Sequence, residues 1–343
     1  MKKDYYHSLD FLRFVFMLFI CVWHYVGTFP WLHLTHGYVG VEFFFILSGA
    51  LLYKSFLTHS NQGALAYTEK KIKKFYFEYL LTLILLFCIF RYNSFLGDFN
   101  TSLLALLNFV QQALFLQNLG IFSDSVNPPA WYLSVLIYMG ALLYSCLRLN
   151  KRYAIGLFFP LLCLLGFSSL FSFSDSLDSP YGTHMGVIDI RLIRGASEMS
   201  LGILLYYFYC AHLNYFNGRR IPWLDAVSIL SLFLLIVFMF STDTYDKFSI
   251  ILFSMLILAS FNRTSLLNRL TSHSIWEKLG SITYEMLIIH FFIRSVFLKL
   301  KLENLINSYL LLTIYLITVI LGSFLLKRFD QKVKEVWISK INR

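Results

Sequence analysis

Ten apolar runs punctuate the chain, near 11–27, 38–57, 75–92, 131–147, 153–171, 194–210, 223–240, 247–261, 282–298 and 308–326. Each approaches the ~20 residues a helix needs to cross a bilayer. Composition agrees, because 58% of the 343 residues are apolar and only 14% are charged, against about 25% charged in a soluble domain. The predicted fold class is all-α: a polytopic integral membrane protein of about ten transmembrane helices, with residues 1–343 forming a single membrane domain.

A net charge of +10 would by itself permit nucleic-acid binding, but the basic residues fall in short clusters between the runs. One set of loops carries Lys2 and Lys3, then Lys70, Lys71, Lys73 and Lys74, then Arg148, Lys151 and Arg152, Arg219 and Arg220, Arg263 and Arg269, and the 327–343 tail. The alternate loops are sparsely basic. By the positive-inside rule the first set is cytosolic and so are both termini; nucleic acid is not an expected partner, whereas membrane lipids are. The opening MKK and apolar run resemble a signal peptide, yet Arg13 and His24 interrupt the run and no small-x-small site follows, so a retained first helix is expected. The segment 103–122 reads as an amphipathic interfacial or re-entrant helix, since Asn108, Gln111, Gln112, Gln117 and Asn118 interrupt it. Cys21, Cys88, Cys146, Cys163 and Cys210 sit in apolar stretches without metal-ligand spacing, and no metal is expected. No internal repeat is visible.

Ionisable groups inside apolar runs are costly and each needs a reason. Arg13 and His24 are eleven residues apart, close to three full turns, so they share a face of the first helix about 16 Å apart along its axis. Asp10 joins that face and can pair with Arg13. The alternative is a snorkelling Arg13 and a structural His24. His24 is the group that exchanges a proton near neutral pH without a large shift. Glu42, near the outer end of the second run, lies at about the depth of His24, so pairing is geometrically reasonable. Gly37, Gly40 and Gly49 permit close helix approach. His33 and His36 read as solvated. The lysines at 70–74 serve either sidedness or a phosphate site. Arg194 and Glu198 are spaced for an ion pair, and Thr283, Tyr284, Glu285 and His290 insert polar groups into the ninth run.

Five segments then resemble, in order, the membrane-bound acyltransferase 3 family of bacterial glycan and lipid acyltransferases: LDFLRFVFMLFICVWH at 9–24, GVEFFFILSGALL at 40–52, KKIKKFYFEY at 70–79, PAWYLSVLIY at 129–138 and LGSITYEMLIIH at 279–290. The first is similar to the family's Arg and His eleven apart. Lys71 and Lys74 stand where two arginines usually lie; they keep the charge but lose bidentate recognition. Leu136 stands where the family often has Glu, a role that Glu198 or Glu285 would have to supply; Phe77 replaces a frequent Pro, and Thr283 a Ser.

The resemblance implies an acyltransferase of the bacterial cytoplasmic membrane, moving an acyl group, most often acetyl, from acyl-CoA to a hydroxyl of a cell-surface or lipid-linked glycan. The short form of the family, without a hydrolase-like domain after the tenth helix, is expected. His24 is the expected catalytic base or acyl carrier, with Arg13 and Glu42 as partners and Lys70, Lys71, Lys73 and Lys74 at the donor. Asp10, Ser48, Trp131, Glu198, Tyr284 and His290 form the expected polar core or substrate contacts. The competing class is a proton-coupled transporter or flippase of a lipid-linked sugar, and a third is a non-catalytic membrane scaffold.

Overall fold

The computed structural model describes residues 6–29, 31–95, 99–122, 125–173, 176–178, 183–216, 219–241 and 246–341. Lys2, Lys3 and the two ends of the chain, on which the sidedness of the termini depends, lie outside the described residues.

Helices dominate: α1 (His7–Trp23), α2 (Gly40–Thr58), α3 (Ala64–Phe95), α4 (Phe99–Ala113), α5 (Trp131–Tyr153), α6 (Phe159–Phe173), α7 (Ile190–Ala211), α8 (Leu213–Phe216), α9 (Pro222–Met239), α10 (Ser249–Phe261), α11 (Leu266–Leu270), α12 (Ser274–Gly280), α13 (Thr283–Lys299) and α14 (Ser308–Ile341). A two-residue hairpin, β1 (His184–Met185) with β2 (Ile188–Asp189), is the one sheet among the described residues. Each of the ten apolar runs falls on a helix. By length and composition four stretches can cross a membrane, Gly37–Thr58, Pro128–Phe173, Pro222–Met239 and Ser308–Val336, or five if α12 and α13, which meet at 55°, make one bent crossing. The remaining runs lie on α1 and α10, of 17 and 13 residues, and on α3 and α7, which carry charged groups.

Two runs anticipated as separate, 131–147 and 153–171, belong to one long helical stretch. The chain nevertheless breaks at Asn150, where φ −157° and ψ 95° leave helical geometry. Its Oδ1 accepts the Tyr153 backbone N–H at 3.0 Å, the arrangement by which a short polar side chain caps a new helical turn.

The outer surface is that of a protein in hydrocarbon. Leu230, Phe233 and Val237 of α9, Leu164 and Leu165 of α6, and Leu321 and Leu325 of α14 are all exposed, a display too extensive for a soluble monomer. In α4 the polarity is inverted relative to a soluble surface helix: Leu103, Leu104, Leu106, Leu107 and Val110 face outward while Asn108, Gln111 and Gln112 are buried. The buried amides do structural work. Gln112 Oε1 accepts from Ser125 Oγ at 2.9 Å and from the Val126 backbone at 3.0 Å, and its Nε2 donates to Asn108. Gln117 Nε2 donates to the Tyr79 hydroxyl at 2.9 Å, which itself donates to the Gln112 carbonyl. The polar interruptions of 103–122 therefore shape the loop that leads into α5.

Glycines set the closest helix approach. A Cβ on Gly49 would lie 1.9 Å from the Met199 carbonyl oxygen, and one on Gly202 would lie 1.9 Å from that of Ile46, so α2 and α7 touch backbone to backbone. Gly37 and Gly40 pack against α1 less tightly, where a Cβ would lie 2.5 Å from the Trp23 Cβ and 3.1 Å from the Ile20 side chain. Helix α1 feeds three environments. Leu9, Leu12 and Phe16 join one apolar core with α2 and α10, and Phe14, Cys21 and Tyr25 join another with α13 and α14. Its third face, Arg13, Met17, Ile20 and His24, follows helical spacing and borders a cavity.

Candidate active site

The cavity has a volume of about 540 Å³, within the usual range for a small-molecule site. At one end stand Lys71 and Lys74 of α3 with Lys327 and Lys334 of α14; at the other are His24, Pro129 and Trp131. Glu78, Glu285 and Asp330 stand among the lysines, Asp330 2.6 Å from Lys334, and Arg13, Ser48, Tyr132, Leu136, Thr283 and Tyr284 complete the lining. One continuous space thus joins a lysine-rich mouth to an imidazole.

His24 occupies the position where α1 ends. Its backbone N–H donates to the Ile20 carbonyl at 3.1 Å and its Nδ1 reaches the same oxygen at 2.8 Å. A carbonyl only accepts, so Nδ1 of the neutral ring carries the proton and Nε2 keeps its lone pair. His290 of α13 is fully buried, with Nδ1 2.9 Å from the Met286 carbonyl, so its Nε2 is likewise the bare nitrogen, and it lies 3.3 Å from His24 Nδ1. No hydrogen bond engages Nε2 of His24 among the described residues. Tyr315 donates toward the Cys21 carbonyl at 3.2 Å and the His290 carbonyl at 3.4 Å, fixing α1 against α13 beside the imidazole pair. Asn127 Nδ2 donates to the Ile288 carbonyl at 3.2 Å, tying the loop before Trp131 to α13.

Arg13 pairs with Asp10 at 2.9 Å, as their spacing predicts. Ser48 Oγ lies 3.1 Å from the Tyr132 hydroxyl on the cavity wall, and the Tyr284 hydroxyl donates to the Phe75 carbonyl. Trp131 is half-buried, with the guanidinium groups of Arg191 and Arg194 at 5.5 and 5.8 Å from its ring.

Glu42 departs from its anticipated place. Rather than pairing with His24, it is fully buried against α7, where Arg194 grips it with both Nε (2.9 Å) and Nη2. Glu198 Oε1 lies 3.4 Å from the same Nε, and neither acid lines the cavity. The close contact of α2 with α7 carries Glu42 toward the partner helix, and the imidazole is oriented by a carbonyl and a second imidazole. Of the two acids considered as substitutes at the Leu136 position, Glu285 is therefore in the cavity and Glu198 is not.

The lysine segment also divides. Lys71 and Lys74, one helical turn apart, reach the cavity, whereas Lys73 pairs with Glu69 at 2.6 Å on the exposed side and Lys70 is exposed away from it. Burial, then the charges of Lys74, Arg13 and Lys70, push the Lys71 ammonium down to about 8. His36, anticipated as solvated, is buried with Nδ1 3.1 Å from the Ser241 carbonyl; His33 is exposed. Lys327, Asp330 and Lys334 were missed because the tail reads as a sidedness signal, although their spacing of three and four puts them on one helix face. Glu78, one turn beyond Lys74, carried the same signal.

A family model described as an acyltransferase domain matches residues 6–328. No curated protein and no solved structure matches the chain.

Proposed function

Because the chain belongs to this family of acyltransferases, whose pattern runs through residues 6–328, we propose that it moves an acetyl group from acetyl-CoA on the cytosolic side of a bacterial cytoplasmic membrane to a hydroxyl of a cell-surface or lipid-linked glycan. The observation that carries this reading is one cavity lined both by Lys71, Lys74 and Lys327, which have no carboxylate partner among the described residues, and by an imidazole whose Nε2 has no hydrogen-bond partner among them. Ammonium groups attract the donor's phosphates, and the thin pantetheine arm then runs past Arg13 to bring the thioester to His24.

In the transfer step His24 Nε2 takes the proton of the acceptor hydroxyl as its oxygen forms the new bond to the thioester carbonyl carbon. The carbon–sulfur bond breaks, the imidazolium returns the proton to the departing sulfur, and free CoA leaves. His290 keeps its bare Nε2 against the Nδ1–H of His24, so the charge that develops on the ring faces an acceptor. Trp131, steadied by two guanidinium groups, offers its ring to the acceptor sugar.

Mass spectrometry of surface glycans tests the reading directly. A strain lacking the protein is complemented or left empty, and an ester mass of one acetyl group is expected only with the protein. If no glycan ester depends on it, the transfer reading fails and the transporter reading takes its place.

Lys71 makes the donor step pH-dependent. Below about pH 8 its ammonium is charged and holds phosphate; above that it becomes neutral. KM for acetyl-CoA is therefore expected to rise as pH goes from 8 to 9.5, and to stay flatter in Lys71→Arg, whose guanidinium remains charged throughout. Unfolding does not mimic this effect. Between about 8 and the ordinary lysine value near 10.4 the unfolded chain binds more protons than the folded one at this site, so Lys71 adds stability as pH rises. Initial rates in membrane vesicles at fixed ionic strength are the check, and a flat wild-type KM across that range contradicts the assignment.

A further inference from the structure

We propose that Lys327 of α14 is a donor-specificity residue, holding one of the two phosphate groups of coenzyme A across the cavity mouth from Lys71 and Lys74. The proposal rests on the acyl-CoA reading above and deepens it. Two of the five described cations that line the cavity are already engaged: Arg13 with Asp10 at 2.9 Å and Lys334 with Asp330 at 2.6 Å. Lys71, Lys74 and Lys327 have no carboxylate ion pair among the described residues. Lys71 and Lys74 lie over the rings of Tyr67 and Phe75, at 5.6 and 5.1 Å, and Lys327 donates to the Ser281 carbonyl.

All three line the same cavity, together with Glu78, Glu285 and Asp330, and both Lys327 and Glu285 lie within electrostatic reach of Lys74. The described lining carries five cations against three carboxyl groups, and the mutual repulsion of Lys71, Lys74 and Arg13 raises the free energy of the empty site until an anion enters it. Coenzyme A brings two separate anionic groups, a diphosphate and a 3′-phosphate on the ribose. Lys71 and Lys74, on one face of one helix, address a single point along the donor. Lys327 approaches from a different helix, as a second point of attachment requires.

The test compares acetyl-CoA with its analogue lacking the 3′-phosphate, in membrane vesicles carrying wild type, Lys327→Met, Lys327→Arg or Lys332→Met. Lys332 lies on the same helix but does not line the cavity. Lys327→Met is expected to raise KM for acetyl-CoA by about tenfold to a hundredfold, the range for losing a charged hydrogen bond, with kcat nearly unchanged. Lys327→Arg should recover most of the loss, and Lys332→Met should behave as wild type. If the 3′-phosphate is the partner, wild type and Lys327→Met will handle the truncated donor alike; if the diphosphate is, the KM ratio between them will persist with both donors. An unchanged KM in Lys327→Met, a fall in kcat alone, or an equal loss in Lys332→Met overturns the proposal while acyl-CoA turnover by wild type stands. Wild type that does not turn over acetyl-CoA at all sinks the donor reading itself.

Discussion

Substituting His24 by alanine is expected to lower acyl transfer by about 10²- to 10⁴-fold, the range for loss of a positioned general base, with little change in the amount of folded protein. The separation of effects follows from geometry. The imidazole ends α1 and is half-buried at the cavity, so its loss empties space that already faces a void. The α1–α13 contact keeps its Tyr315 hydrogen bonds and its apolar core. His24→Asn is the sharper variant: an amide nitrogen can still donate to Ile20, as Nδ1 does at 2.8 Å, but nothing replaces the lone pair on Nε2. Both variants should be inactive and equally thermostable. Full activity in His24→Asn would exclude His24 as the base. Incubating the wild type and His24→Asn with labelled donor alone separates the covalent route from base catalysis, since label retained on the wild type but not on the variant means that His24 carries the acyl group, and no label on either leaves base catalysis.

The order of the helices was legible in the chain because burial in hydrocarbon admits few backbone solutions, so apolar runs and helices coincide. The Arg13–Asp10 pair and the shared face of Arg13 and His24 were legible for a related reason: both are relations within one helix, fixed by 3.6 residues per turn. Relations between helices were not. The contact of His24 with His290 spans 266 positions, and the preference of Glu42 for Arg194 spans 152; neither follows from local spacing. Depth alone put Glu42 beside His24. The glycines at 49 and 202, which bring α2 against α7, decide otherwise. Lysines were half legible, since a positive-inside signal and a phosphate site use the same residue type, and only the face of α3 that meets the cavity separates Lys71 and Lys74 from Lys70 and Lys73.

Replacing Arg194 by methionine is expected to destabilise the protein by about 3–5 kcal/mol, the cost of breaking a buried ion pair from one side. Helices α2 and α7 approach too closely at Gly49 and Gly202 to admit water between them, and Glu42 and Glu198 are both fully buried beside the one guanidinium. Without Arg194, two carboxyl groups must be buried with no cation. The acids themselves are not equivalent. Glu42 holds the guanidinium with both oxygens, whereas both Glu198 oxygens lack a hydrogen-bond partner among the described residues. Glu198→Gln removes a surplus acid and should leave stability nearly unchanged or improved, while Glu42→Gln weakens the bidentate grip and falls between the two. Thermal unfolding in detergent, followed by tryptophan fluorescence, would rank them Glu198→Gln, Glu42→Gln, Arg194→Met from most to least stable. Restoration of Arg194→Met by adding Glu42→Gln and Glu198→Gln together would identify the uncompensated carboxylates as the cause. Glu198→Gln falling below Glu42→Gln would mean that Glu198 is the main partner of Arg194, and Arg194→Met as stable as the wild type would mean that the buried pair carries no stability. Since Arg194 also lies over Trp131 at 5.8 Å, any surviving Arg194→Met protein should show a raised KM for the acceptor with the donor KM unaltered, because the damage lies at the His24 end of the cavity and the lysine mouth is untouched.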